Sequence, residues 1–271
     1  MTLKGKLVLV GAGKMGGAML EGWLDEGTPA EQVVVLDPAP SDAMARLAAE
    51  RGLALNPPVE EIADPEIVLI AVKPQIMDKV LPGLLPLARH KPVFLSVAAG
   101  RTIASFEAVL GADVPIVRAM PNTPAAVGRG ITVICPNAHV TEAQAALAES
   151  LLSAVGEVGR VDDEGLMDAV TGVSGSGPAY VFYLTECLAR AGMDEGLPEE
   201  LATKLARATV AGAGELMRRS GEPAGTLREN VTSPNGTTAA GLGVLMADDG
   251  LKPLVARTVA AAARRSRELA E

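Results

Sequence analysis

Aromatic side chains are scarce: one Trp, two Tyr and three Phe in 271 residues. Six rings cannot build the stacking platform on which proteins read single-stranded nucleic acid. Positive charge is short as well. With 24 Lys and Arg against 33 Asp and Glu, the formal net charge of −9 repels a phosphate backbone, and no nucleic-acid partner is expected. An anionic small molecule must therefore be held by a local device. Cysteine and histidine number two each. Cys135 and Cys187 are far apart and suggest neither a disulfide framework nor a paired-Cys metal site; they read as free thiols in a reducing compartment. His90 lies in the basic segment Arg89-His90-Lys91, suited to the carbonyl end of a helix, and His139 follows Pro136-Asn137 in a loop. Neither a metal centre nor a Ser-His-Asp triad is expected. Long apolar runs are missing too. None approaches the roughly 18–20 residues that cross a bilayer, and residues 7–10 are too short for the apolar part of a secretory leader. The expectation is a cytoplasmic protein with no membrane partner.

What is present is an ordinary globular balance, 48% hydrophobic and 21% charged, in a chain long enough for one or two domains. Short β-branched runs recur at residues 7–10, 33–36, 67–72, 93–97, 114–117 and 131–134. Helical patterns fall between them. Met15, Met19, Leu20 and Trp23 share a face over 14–25; residues 41–51 run from a Ser41 cap to Gly52; Thr141 and Gln144 form a capping-box pair. Strands alternating with helices predict a mostly parallel, doubly wound α/β sheet. The unbroken run Ile67-Val68-Leu69-Ile70-Ala71-Val72 fits a strand covered on both faces. After about residue 163 the strand-like runs stop and Ala, Leu, Gly and Glu dominate, with long helical patterns over 178–192, 199–219 and 253–269. An all-α second domain is expected, giving residues 1–162 and 163–271 as the two parts. A helical domain that small is marginal by itself, so a subunit interface through it is expected.

Gly11-Ala12-Gly13-Lys14-Met15-Gly16 sits between the first strand and the first helix. The glycines permit a tight turn and close approach of a pyrophosphate to the helix N-terminus, where unpaired N–H groups favour anions. Asp37 closes the second strand 21 residues after Gly16. A carboxylate there accepts hydrogen bonds from a ribose 2′-OH and repels a 2′-phosphate, which favours NADH over NADPH. Lys73 and Pro74 follow the central strand where a parallel sheet faces its ligand crevice. Met120-Pro121-Asn122-Thr123-Pro124 is a stiff loop after another strand, and Ser174-Gly175-Ser176-Gly177-Pro178 opens the first long helix of the second half. Thr232-Ser233-Pro234-Asn235-Gly236-Thr237-Thr238 puts four hydroxyls at a helix start with no Asp, Glu, His or Lys. That suits carboxylate binding and hydrogen-bond donation rather than general-base work.

Together the segments GAGKMG at 11–16, AVKPQ at 71–75, SVAAG at 96–100, RAMPNTP at 118–124, SGSGPAY at 174–180 and VTSPNGTTAAGL at 231–242 resemble one family, the pyrroline-5-carboxylate reductases, over essentially the whole chain. The resemblance implies NADPH- or NADH-dependent reduction of 1-pyrroline-5-carboxylate to L-proline, the last step of proline synthesis. It also implies an N-terminal Rossmann domain and a helical C-terminal domain that forms a homodimer or a larger assembly of dimers. By position, Gly11, Gly13, Lys14, Met15 and Gly16 would hold the pyrophosphate. Asn56, Val72, Lys73 and Pro74 would line the cofactor, with Ala98, Ala99, Gly100 and Asn122 near the nicotinamide. Ser233, Gly236 and Thr237, with Ser176, would bind substrate, and Thr238 matches the hydroxyl that contacts the ring nitrogen. Two positions depart from the family pattern. Many members carry Gly-Gly where this chain has Asn235-Gly236, a change that a left-handed Asn tolerates. Many have a small hydroxyl or an Arg near the end of the second strand, where this chain has Asp37.

Two other readings make different demands. A β-hydroxyacid dehydrogenase of similar architecture needs a lysine base on the first helix of the second domain, and residues 178–192 hold none. A dinucleotide sensor without turnover would show a degraded hydroxyl cluster at 232–238, which here is intact.

Overall fold

The computed structural model describes residues 3–270. Eight strands form one sheet: β1 Lys6–Val10, β2 Val33–Leu36, β3 Ala54–Leu55, β4 Pro65–Ile70, β5 Val93–Ser96, β6 Ile116–Met120, β7 Gly130–Pro136 and β8 Gly156–Arg160. Their order is β3-β2-β1-β4-β5-β6-β7-β8, with every pair parallel except β6 and β7. The strand order reverses between β1 and β4, where a crevice opens at the carboxyl ends of a doubly wound sheet.

Side-chain alternation builds the two faces. Leu7, Leu9, Val33, Val35, Ile67 and Leu69 enter one core, while Val8, Val10, Val34, Val68 and Ile70 enter the other. Helices α1 (Lys14–Asp25), α2 (Asp42–Arg51) and α6 (Glu142–Ser153) cover the first face. The second is covered by the short helices α3 (Met77–Val80) and α4 (Leu85–Ala88), by α5 (Ile103–Leu110) and by Met167 of α7 (Met167–Val170). The local signals act as expected. Ser41 Oγ accepts from Met44 N–H, Gly52 ends α2 at φ 72°, and Thr141 and Gln144 complete a reciprocal capping box. Two strands have no counterpart in the sequence pattern: β3, of two residues, and β8, Gly-Glu-Val-Gly-Arg, both at sheet edges where one-sided exposure removes the apolar signature.

The chain forms two compact units. One holds the sheet, continues through Gly175 and includes the end of the last helix from Ala263; the other is Ser176–Ala262. Strands end at Arg160, close to the expected break at 162/163, yet residues 163–175 pack with the sheet unit. The reason is local. Met167 is fully buried in the second core, and Asp168 Oδ1 accepts from Ser266 Oγ at 2.6 Å, tying in the chain's final turns. A five-residue π-helical turn, Thr171–Gly175, ends this unit, with Ser174 Oγ donating to the Val170 carbonyl.

The second unit is helical: α8 Gly177–Asp194, α9 Glu199–Ser220, α10 Ala224–Asn230, α11 Thr237–Leu245 and the first part of α12 Leu251–Ala270. α8 and α9 pack closely because a Cβ on Gly192 would press on Leu197 and Ala202. Buried side chains in these two helices are only alanines: 189, 202 and 206.

Candidate functional site

In the sheet unit the expected cofactor residues gather along the carboxyl ends of the strands. Gly11 N–H donates to the Leu36 carbonyl at 2.9 Å, and its φ of 90° is a conformation that glycine adopts without strain. A Cβ at Gly11 would strike Val72 and the Ala71 backbone, and one at Gly16 would strike the Gly11 carbonyl. Gly13 faces open space and caps α1 without any side-chain hydrogen bond. The turn is therefore compressed where it meets the sheet and bare where α1 begins. Such an uncapped helix start offers N–H groups to a phosphate.

Asp37 is built into this turn. Its Oδ2 accepts from Ala12 N–H at 2.8 Å and its Oδ1 from Ala39 N–H at 3.0 Å. Asn56, at φ 54°, grips the Asp37 backbone from both sides: Oδ1 accepts from Asp37 N–H and Nδ2 donates to the Asp37 carbonyl, each at 2.8 Å. The side chain expected to line the cofactor thus positions Asp37. Lys73 is exposed and precedes a short 3-10 turn that Pro74 opens at its first position, where a missing N–H costs nothing.

After β5, Ala98 is buried, Ala99 is exposed and Gly100 turns at φ 71° with the Leu269 carbonyl close beside it. Asn122, after β6, uses its amide as a strut. Its Oδ1 accepts from Ile131 N–H at 2.9 Å, and its Nδ2 donates to the Ser174 carbonyl at 3.2 Å. The loop after β6 is so fixed to β7 and to the π-helical turn. Arg118 and Glu164 also meet beneath these loops, a pairing that no local pattern in the sequence marks. Arg118 Nη1 donates to Glu164 Oε1 at 2.7 Å with the guanidinium side chain only 7% exposed. Burial, with the nearby Glu164 charge next, pushes the Cys135 thiol up from its ordinary range, which suits an inert core cysteine.

In the helical unit, Ser233, Gly236, Thr237 and Thr238 come together at the start of α11. Gly236 N–H donates to the Ser233 carbonyl at 3.1 Å after Asn235 turns at φ 58°. Gly236 is the cap residue and no side chain caps the helix, so Ser233, Thr237 and Thr238, all exposed, do not serve as an ordinary N-cap. A Cβ on Gly236 would run into Ser233 Oγ. Ser176 is the N-cap residue of α8, half-buried, and its side chain makes no capping hydrogen bond. Among the described residues, no group of three or more His, Cys, Asp or Glu side chains is placed to hold a metal ion.

Comparison with known proteins decides what this geometry belongs to. The model of the pyrroline-5-carboxylate reductase dimerisation domain matches residues 164–269, and that of NADP oxidoreductase, coenzyme F420-dependent, matches residues 6–100. The pyrroline-5-carboxylate reductase of Pseudomonas aeruginosa is 41% identical over 267 residues, covering 98% of this chain and 97% of the relative. The chain belongs to the pyrroline-5-carboxylate reductase family. Among solved structures, the pyrroline-5-carboxylate reductase of Coxiella burnetii superposes with a TM-score of 0.92 at 32% identity, covering 99% of this chain and 100% of its own. The Plasmodium falciparum pyrroline carboxylate reductase, solved with NADP bound, gives 0.80 at 31% identity, with 99% of each chain covered. The reductase dimerisation model begins at Glu164, so the segment anchored by Glu164 and Asp168 belongs to the family's second domain by sequence but packs on the sheet unit here.

Proposed function

We propose that the chain reduces 1-pyrroline-5-carboxylate to L-proline with a reduced nicotinamide dinucleotide. Its kinship along the whole chain with pyrroline-5-carboxylate reductases carries this reading. The dinucleotide, when bound, supplies a hydride to the carbon of the C=N bond. The imine nitrogen takes up one proton, and the ring becomes the secondary amine of proline. The bare glycine turn fits the dinucleotide's pyrophosphate: Gly11, Gly13, Lys14, Met15 and Gly16 hold it at the start of α1. Val72, Lys73, Pro74, Ala98, Ala99, Gly100 and Asn122 line the remainder, and Asn56 acts through Asp37.

Ser176, Ser233, Gly236 and Thr237 bind the substrate, its carboxylate at the uncapped start of α11, and the Thr238 hydroxyl donates to the ring nitrogen. The work of these residues is orientation, the largest lever available where no tuned acid or base is present. Residues 1–162 thus serve the dinucleotide and 163–271 the substrate and the partner subunit. The partner is a second copy of the chain. Phe182 and Tyr183 of α8 are 62% and 67% exposed, and Leu201 and Leu205 of α9 are exposed as well. This is an apolar surface that an intertwined copy would cover. Dimers assemble further, in a reducing cytoplasm that suits two free cysteines.

NADH is the preferred donor. Asp37 already accepts two backbone N–H groups, keeps lone pairs for a ribose hydroxyl, and meets a 2′-phosphate with like charge. Absorbance at 340 nm, followed with pyrroline-5-carboxylate and each dinucleotide in turn, tests both statements. The expected result is oxidation with a higher kcat/KM for NADH. Oxidation of neither removes the activity, and a strong preference for NADPH removes the role of Asp37.

A further inference from the structure

The Arg118–Glu164 pair lies where no cofactor or substrate role has been assigned. Arg118 is on β6, opposite Ser96 of β5 and Cys135 of β7, three positions before Pro121, where the next loop begins. Glu164 Oε1 accepts from Arg118 Nη1 at 2.7 Å and also from Ile103 N–H at 2.9 Å. Ile103 is the first residue of α5, three positions after Gly100. One carboxylate oxygen therefore ties together the strand leading to Asn122, the helix leaving the 98–100 turn, and the segment after β8.

The Arg118 side chain is only 7% exposed and that of Glu164 29%, and Ile116 on the same strand and Met167 just after Glu164 belong to the second core. An ion pair in such a place costs desolvation that a well-packed apolar pair avoids, so stability alone does not account for it. What it adds is a fixed geometry between two loops. The adenosine end has its own anchor, the Asp37–Asn56 clamp, just past the ends of β2 and β3.

We infer that Arg118 and Glu164 are positioning residues that hold the 98–100 turn against the loop at Asn122 and so set the aim of the hydride donor. This inference rests on the placement of the nicotinamide proposed above. It predicts that the pair governs kcat rather than dinucleotide affinity, because misplacement of a reacting group by about 1 Å costs on the order of a hundredfold in rate.

The test replaces the pair by apolar residues of similar size in the full-length enzyme, R118M/E164L, with E164Q beside it. Unfolding midpoint, dinucleotide Kd, kcat and the primary isotope effect with dinucleotide deuterated at C4 are measured. The expected result is an unfolding midpoint at or above the parent's and a Kd within about twofold, with kcat lowered roughly ten- to hundredfold and a larger isotope effect. E164Q keeps an acceptor and falls in between; should R118M/E164L not fold, E164Q decides by the same readouts. An unchanged kcat and isotope effect in a folded variant overturns the inference. So does a kcat that falls only in step with the unfolding midpoint and returns on cooling. An inactive parent enzyme overturns the proposed reaction itself, and this inference with it.

Discussion

The sheet unit and the helical unit bury their apolar residues in different ways. In the first, Leu7, Leu9, Ile67, Leu69, Val93 and Leu95 are fully inaccessible within one chain, and both sheet faces are covered. In the second, the apolar residues of α8 and α9 point outward while small alanines pack the inside. A single copy thus completes one core and leaves the other open. The expectation that follows is that the sheet unit carries its stability by itself and the helical unit draws much of its own from a second copy.

The largest effect that can break this comparison is a cavity in the closed core. Leu69→Ala is expected to cost about 2–5 kcal/mol, by transfer and cavity terms together. Its denaturation midpoint should show that loss at every protein concentration. A loss that varies with concentration would mean that the sheet core is also shared. Charging the open face comes next. Phe182→Asp combined with Leu205→Glu should shift the mass seen by light scattering to the 27.7 kDa of one chain and lower kcat/KM by about a hundredfold, equivalent to about 2.8 kcal/mol. A variant that still assembles contradicts the interface.

Thr238→Ala, at the start of α11, is expected to lower kcat/KM by one to two powers of ten, about 1.4–2.8 kcal/mol, in steady-state assays. The same variant should leave dinucleotide affinity alone, since the proposed dinucleotide site lies in the sheet unit. Asp37→Ser should do the reverse, moving the NADH-to-NADPH ratio of kcat/KM by roughly tenfold toward NADPH, about 1.4 kcal/mol. Because Asp37 also holds the glycine turn through Ala12, part of the NADH rate should fall too.

The smallest effect is electrostatic and confined to α9. Glu215 bonds to Arg218 and Arg219, and these guanidiniums lower its pKa from 4.5 to about 2. A pKa depressed in the folded state contributes stability that is present above 4.5 and disappears as pH falls through about 2. Glu215→Gln should therefore differ slightly from the parent in thermal midpoint at neutral pH and approach it as pH falls from 4.5 toward 2, a small gap because the group is exposed.

Most of the fold was legible where the code is local. Ser41, Gly52, Thr141 and Gln144 mark helix ends through partners only a few residues away, and the strands of the sheet centre are continuous apolar runs. The edge strands were not, since Gly156–Arg160 is half-exposed and carries no such run. At the candidate site, residue types and loop positions could be read but their partners could not. The family resemblance put Asn56 and Asn122 beside the cofactor, but the backbone groups they also bond, 19 and 52 residues away, lie at a distance no local pattern encodes. Glu164 left no sequence mark either, because its partners are 46 and 61 positions distant. The texture of the sequence changes where strands stop, next to Glu164 where the dimerisation model begins, whereas the compact units divide after Gly175 because buried residues such as Met167 pack with the sheet.

The most direct test follows the transferred atom. Pyrroline-5-carboxylate is incubated with the enzyme and NADH carrying deuterium at both C4 positions, and the product is read by NMR. One deuterium at C5 of L-proline is the result predicted. Proline formed without the label, or dinucleotide oxidised with no proline, would contradict it.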